Sequence, residues 1–176
     1  MSLSTKRPPT EEYAPFYAGY IAETPDGDIV ESMRDQEQEF ARLPAAVSRS
    51  AEEFAYAPGK WTVRQVVGHL CDAERVFGYR ALCISRGDET PLPGFDENEY
   101  VARSTSARRP LRDLVDELGL LRHANRCLFA ALDDGDWLRV GTANHQPVSA
   151  RALAFILVGH ARHHLRVLRD RYEIRW

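Results

Sequence analysis

The chain lacks a surplus of positive charge. Its 23 Lys and Arg are set against 26 Asp and Glu in 176 residues, a formal net charge of -3. Nucleic-acid binding rests on a basic surface that displaces counterions from phosphates, so that class of partner has no support. Long apolar runs are also missing. The longest clean one, Ala152 to Gly159, falls far short of the roughly 20 residues that span a bilayer, so no membrane partner is expected. Cysteine is scarce. Cys71, Cys83 and Cys127 are odd in number, widely spaced and free of any CxxC pair, which argues against a disulfide framework and for a reducing compartment. The opening MSLSTKRPPT has no hydrophobic segment of the signal-peptide kind, so a cytoplasmic protein is expected. No strand-length alternating segment, internal repeat or low-complexity tract stands out. With 44% apolar and 28% charged residues, what remains is an ordinary globular composition, long enough for one domain with a sizeable core.

What is present is helical periodicity. Residues 1–28 hold four of the ten prolines and read as a mostly irregular arm, with Tyr13, Phe16, Tyr17 and Tyr20 available to pin it down. Residues 29–176 read as the domain proper. Helix one is expected from Ile29 to Leu43, its stripe broken by Glu37 and ended by Pro44. A connector follows, with a helical turn near Ser50–Phe54 and a break at Pro58-Gly59. Thr62 and Gln65 form a capping box, and Trp61 with Val66 have the spacing of a hydrophobic staple, so helix two should start sharply at Val63 and run to about Ser85. Asp88 to Arg109 is a long connection, a length that is usually functional or a crossover. Pro110 suits a first helical position, and leucines keep the helical period to about Ala131. Ser149 caps helix four, with Val148 and Leu153 as a second staple; this helix runs to about Tyr172. Four long amphipathic helices imply an all-α four-helix bundle, and the long loop implies that it is not plain up-down-up-down.

Helix four carries His160 and His164 one turn apart on one face, in a stripe with Leu153, Ile156 and Val167. His69 in helix two shares its face with Val66, Ala73 and Val76 and also points inward. Buried imidazoles need partners for their ring nitrogens, and a metal is one way to supply them. Three neutral imidazoles suit zinc or nickel, with iron, cobalt or manganese as further options, and leave positions open as catalytic sites do. The spacing fits equally well with ordinary histidines bonded to carboxylates. His163, at the edge of the stripe, could pair with His160, and His123 reads as solvent-facing.

Three segments carry a resemblance: APGKWTVRQVVGHLCDAERVFGYRAL, LPGFDENEYV and VSARALAFILVGHARHHLRVLRDRY. Together they resemble the DinB/YfiT-like superfamily over roughly Ile29 to Tyr172. The resemblance implies a four-helix bundle holding a divalent metal on three histidines, here His69, His160 and His164, and a frequent homodimer. It also implies metal-dependent hydrolysis, or transfer of a low-molecular-weight thiol such as bacillithiol, mycothiol or glutathione to a small electrophile. Thiol transfer is the leading expectation. Hydrolysis by metal-bound hydroxide, a non-catalytic metal-binding stress-response protein, and a bundle without metal are the alternatives. Asp96 and Glu97 in the long loop and His145 before helix four are the candidates for general base or proton relay. Asp72 is a candidate to brace His69, or else, as the favoured alternative, a helix-surface carboxylate paired with Arg75 at i,i+3. Trp61 reads as a staple rather than a substrate platform, and the cysteines as packed thiols.

Overall fold

Four long helices form where the apolar periodicity places them. The structure, a computed structural model, describes residues 3–176. In chain order the α-helices are α1 (Ala18–Ala22), α2 (Ile29–Phe40), α3 (Leu43–Ala46), α4 (Val63–Ser85), α5 (Glu97–Arg103), α6 (Leu111–Ala130), α7 (Asp134–Leu138) and α8 (Ala150–Arg171). Local chemistry sets the starts. The Asp28 carboxylate accepts from Val30 N–H, the Thr62/Gln65 capping box opens α4, and Ser149 Oγ accepts from Ala152 N–H at α8. Each satisfies donors that the first helical turn leaves unpaired.

The bundle is made by α2, α4, α6 and α8. Helix α4 packs on α6 and α8, and α2 packs on the same two. Helices that follow each other in sequence, α2 then α4 and α6 then α8, therefore sit across a diagonal. This departs from plain up-down-up-down order, as expected, although the long loop that implied it joins α4 and α6, which pack side by side; the diagonal steps are made by the connections before α4 and before α8. The apolar core has two clusters. One gathers the C-terminal half of α4 with the first half of α8, around Phe77, Phe129, Phe155 and Ile156. The other gathers the first half of α4 with the second half of α8, around Phe40, Leu70, Leu114 and Leu165.

Several expectations are corrected. Helix one stops at Phe40, and α3 begins separately at Leu43. Pro110 is the cap before α6 rather than its first residue. The arm is not simply irregular, since Ala18–Ala22 is helical and lies along α8. Its seat is made by Gly159. A Cβ there would overlap the Tyr20 carbonyl oxygen, so only glycine admits so close a crossing. Further along the arm, Glu12 accepts from Ser149 Oγ at 2.6 Å and pairs with Arg151.

The absence of strands is corrected as well. Strands β1 (Val140–Ala143) and β2 (Gln146–Ser149) form an antiparallel hairpin. Asn144 and His145 turn it with φ of 51° and 61°, the left-handed pair that a tight two-residue hairpin demands. Leu92 bridges to this hairpin at Ala143, its N–H donating to Thr142 O at 2.9 Å and its carbonyl accepting from Asn144 N–H at 3.0 Å. The long loop and the hairpin are thereby joined at one end of the bundle.

Candidate metal centre

His69 sits in the second turn of α4 and His160 and His164 in the middle of α8, and the packing of these two helices brings the rings together. His160 Nε2 lies 3.0 Å from His69 Nε2 and 3.1 Å from His164 Nε2. The ring centroids are 4.6 to 4.9 Å apart. His69 and His160 are buried and His164 half-buried. Each of the first two is preceded by a glycine at a crossing point. Ser106 runs beside Gly68 where a Cβ would be, and Tyr20 runs beside Gly159 in the same way.

Hydrogen bonding cannot satisfy this arrangement. A neutral imidazole nitrogen either donates one proton or offers one lone pair. His160 Nε2 has two ring nitrogens at hydrogen-bond distance and can serve only one. His69 Nδ1 is buried without a hydrogen-bond partner among the described residues. Burial pushes the His69 pKa down to about 4, and it pushes those of His160 and His164 well below the usual value, with the neighbouring histidines adding to the effect. At neutral pH, then, three uncharged donors face one another. Nitrogens about 3 Å apart can each reach a common ion at the ordinary distance of about 2.1 Å. These residues fit a divalent cation of the borderline-soft kind. Among the described residues they are also the one group of three or more His, Cys, Asp or Glu gathered closely enough to share an ion.

The rings open on a cavity of about 610 Å3. Aromatic side chains surround it. The Trp61 ring lies 4.8 Å from that of His69 and stacks at 22° over His164 at 6.4 Å. Tyr20 meets His160 edge-on at 5.3 Å, and Phe77 does so at 6.0 Å. Burial raises the Tyr20 hydroxyl pKa, and the nearby Glu97 carboxylate raises it further.

Of the three acid–base candidates, only Glu97 lines the cavity. Asp96 caps α5, its carboxylate accepting from Asn98 and Glu99 N–H at 2.9 and 3.0 Å. His145 is an exposed residue of the left-handed hairpin turn, next to Asn144, which lines the cavity. Asp72 does not brace His69, whose Nδ1 has no partner among the described residues, and Arg75 pairs with Glu117 instead. His163 lies beside the Tyr20 ring, and His123 is exposed. Cys71 is buried and donates toward Leu114 O, away from the histidines.

The chemistry-bearing residues missed by sequence reasoning are Trp61 as a wall of the site, Tyr20, Phe77 and Arg80. Arg80 had a signal. It follows His69 by 11 residues, close to three whole turns, and so falls on the same helix face.

The sequence matches the family model described as the DinB superfamily over residues 7–168. No curated protein matches it. Among solved structures it is similar to YfiT from Bacillus subtilis, described as a probable metal-dependent hydrolase with an unusual four-helix bundle topology. That match has a TM-score of 0.70 at 20% identity, covering 99% of this chain and 100% of the other. It is also similar to a mycothiol-dependent maleylpyruvate isomerase, with a TM-score of 0.61 at 15% identity, covering 78% of this chain and 58% of that one. No helix among the described residues is long and apolar enough to cross a membrane.

Proposed function

The chain belongs to the DinB superfamily, and from that premise we propose that it is a divalent-metal-dependent enzyme joining a low-molecular-weight thiol to a small electrophile. His69, His160 and His164 would hold the ion, zinc or nickel by donor preference. The observation that carries the reading is the meeting of their three neutral, crowded nitrogens at the wall of a 610 Å3 cavity. A divalent ion held there supplies positive charge that lowers the pKa of a thiol or a water molecule beside it.

The chain's own residues supply the rest. Three imidazoles from two adjacent helices leave one side of the site open to the cavity. Burial keeps the rings uncharged, so each can offer an Nε2 lone pair to the shared space in the tautomer that carries its proton on Nδ1. Trp61, Tyr20 and Phe77 line that space with apolar surface, which excludes water and strengthens charge interactions within it. Glu97, which borders the same cavity, would receive the proton that an entering thiol gives up.

The thiol itself comes from the family resemblance, and the mycothiol dependence of one structurally similar protein supports it. The hydrolase description of another favours a second reading, with water in place of the thiol at the same histidines. We also place the protein in the cytoplasm as a homodimer. Its cysteines are free in all three cases, as a reducing compartment would have them, and light scattering tests the assembly.

Elemental analysis of protein purified without a histidine tag tests the centre. About one divalent ion per chain is expected, and His69→Ala should lose it. A wild-type protein that takes up no divalent ion overturns the reading. Bacillithiol, mycothiol or glutathione offered with an electrophile, beside esters and amides without thiol, separates transfer from hydrolysis. Bound metal with no turnover on any of them points instead to a metal-binding protein without catalysis.

A further inference from the structure

Arg80 is a buried cation that makes no ion pair among the described residues, although Glu97 borders the same cavity. It is 3% exposed and lines the cavity. One of its five N–H groups is used, Nη2 donating to Pro93 O at 2.6 Å. Its guanidinium lies 5.6 Å from the centroid of Phe77 and 5.9 Å from that of Phe95. The other two most buried arginines of the described residues are treated differently: Arg122 pairs with Glu74 and Arg151 with Glu12. An arginine removed from bulk water without a counter-charge is costly, and such groups are usually paired. The aromatic faces offset part of that cost, and the remaining N–H groups are not sealed in the core, where His69 Nδ1 alone among the described residues is buried without a partner, but belong to a side chain that borders the cavity.

We propose that Arg80 binds a carboxylate of the substrate, so that the electrophile taken at this site is a small organic acid. The inference rests on the reading above, that the cavity is a substrate site. Arg80 and His69 project from one face of α4, three turns apart, and the cavity touches both. An acid held by its carboxylate at Arg80 would thus extend along α4 toward the histidines. A planar guanidinium edge matches a planar carboxylate with two parallel hydrogen bonds. The flanking Phe77 and Phe95 rings favour a flat, unsaturated or aromatic body next to that carboxylate. The Pro93 carbonyl fixes the guanidinium from the long loop, so the carboxylate would meet a group already oriented.

Titrating the purified full-length protein with benzoate and with its neutral isostere benzamide, followed by calorimetry, tests this. Benzoate should bind about tenfold more tightly or better. Arg80→Gln should abolish that preference, Arg80→Lys should keep part of it, and His69→Ala should keep it. A merely structural Arg80 would leave the ratio of the two affinities unmoved. Equal binding of the two probes by the wild type, which needs no variant, overturns the proposal. So does a preference that survives Arg80→Gln but vanishes in His69→Ala, because the carboxylate would then sit at the histidines. Tighter binding of methyl phosphate than of benzoate overturns the carboxylate assignment. None of these readings requires turnover, so they fail separately from the thiol-transfer proposal.

Discussion

Two polar clusters lie within the bundle, and they differ in how far their bonding is complete. The first is closed. Arg122 on α6 is fully buried and Glu74 on α4 is 3% exposed. Arg122 bonds Glu74, Gln36 of α2 and, at 3.1 Å, the Leu157 carbonyl of α8. Asn125 donates to Glu74 at 2.8 Å, and Gln36 donates to Val158 O at 2.9 Å. All four bundle helices meet in that network, and none of its side chains lines the cavity beside the histidines. The second cluster is open. Its three histidines crowd their nitrogens together, leave one buried nitrogen without a partner among the described residues and border the cavity. Complete bonding ties helices together; incomplete bonding beside a cavity leaves capacity for a ligand.

Breaking the closed cluster should have the largest effect. Glu74→Ala strands a buried guanidinium and should cost about 3–5 kcal/mol of stability, read from urea unfolding. His69→Ala in metal-free protein should cost no more than about 1 kcal/mol, since it also removes an unpartnered nitrogen. Replacing Glu74 and Arg122 together by methionine should recover most of the loss. Similar costs for Glu74→Ala and His69→Ala would erase the distinction between the clusters.

Acid should act on the open cluster. In the unfolded chain His69 takes a proton near its ordinary value of 6.5, while in the fold burial holds it unprotonated down to about 4. Between those values the unfolded state binds more protons, so the metal-free fold loses stability as pH falls from 6.5 to about 4. Each pH unit of that gap is worth about 1.4 kcal/mol at full effect, so this site alone contributes on the order of 3 kcal/mol. His69→Gln should flatten the decline in metal-free protein. An unchanged pH profile in that variant would show that the ring is not held neutral.

Much of this was legible from periodicity and capping. The starts of α4 and α8 follow from Thr62, Gln65 and Ser149, whose side chains act on the backbone nearby, and the inward faces of His69, His160 and His164 follow from counting along one helix. What escaped depends on distant partners. Arg122 and Asn125 look like polar gaps in the leucine stripe of α6, and only Glu74 and Gln36 on other helices explain them. Tyr20 reaches the site because Gly159, far along the chain, leaves room for its carbonyl. The hairpin strands are four residues each, one containing Pro147, and too short for alternation to register.

The hairpin turn offers the smallest test of where the open cluster ends. His145 holds a φ of 61°, a conformation that costs a residue with a Cβ roughly 1 kcal/mol and glycine almost nothing. No hydrogen bond or ion pair ties its imidazole to the described residues, and it does not line the cavity. His145→Gly should therefore stabilise the protein by about 0.5–1 kcal/mol, less the added freedom glycine gives the unfolded chain. Asparagine followed by glycine is also the pair most favoured in two-residue hairpin turns, and the substitution would create it after Asn144. Metal content and the benzoate preference should stay as in the wild type. Loss of bound ion in His145→Gly would extend the metal centre to the hairpin, because the substitution leaves the backbone path of the turn intact and removes only the imidazole.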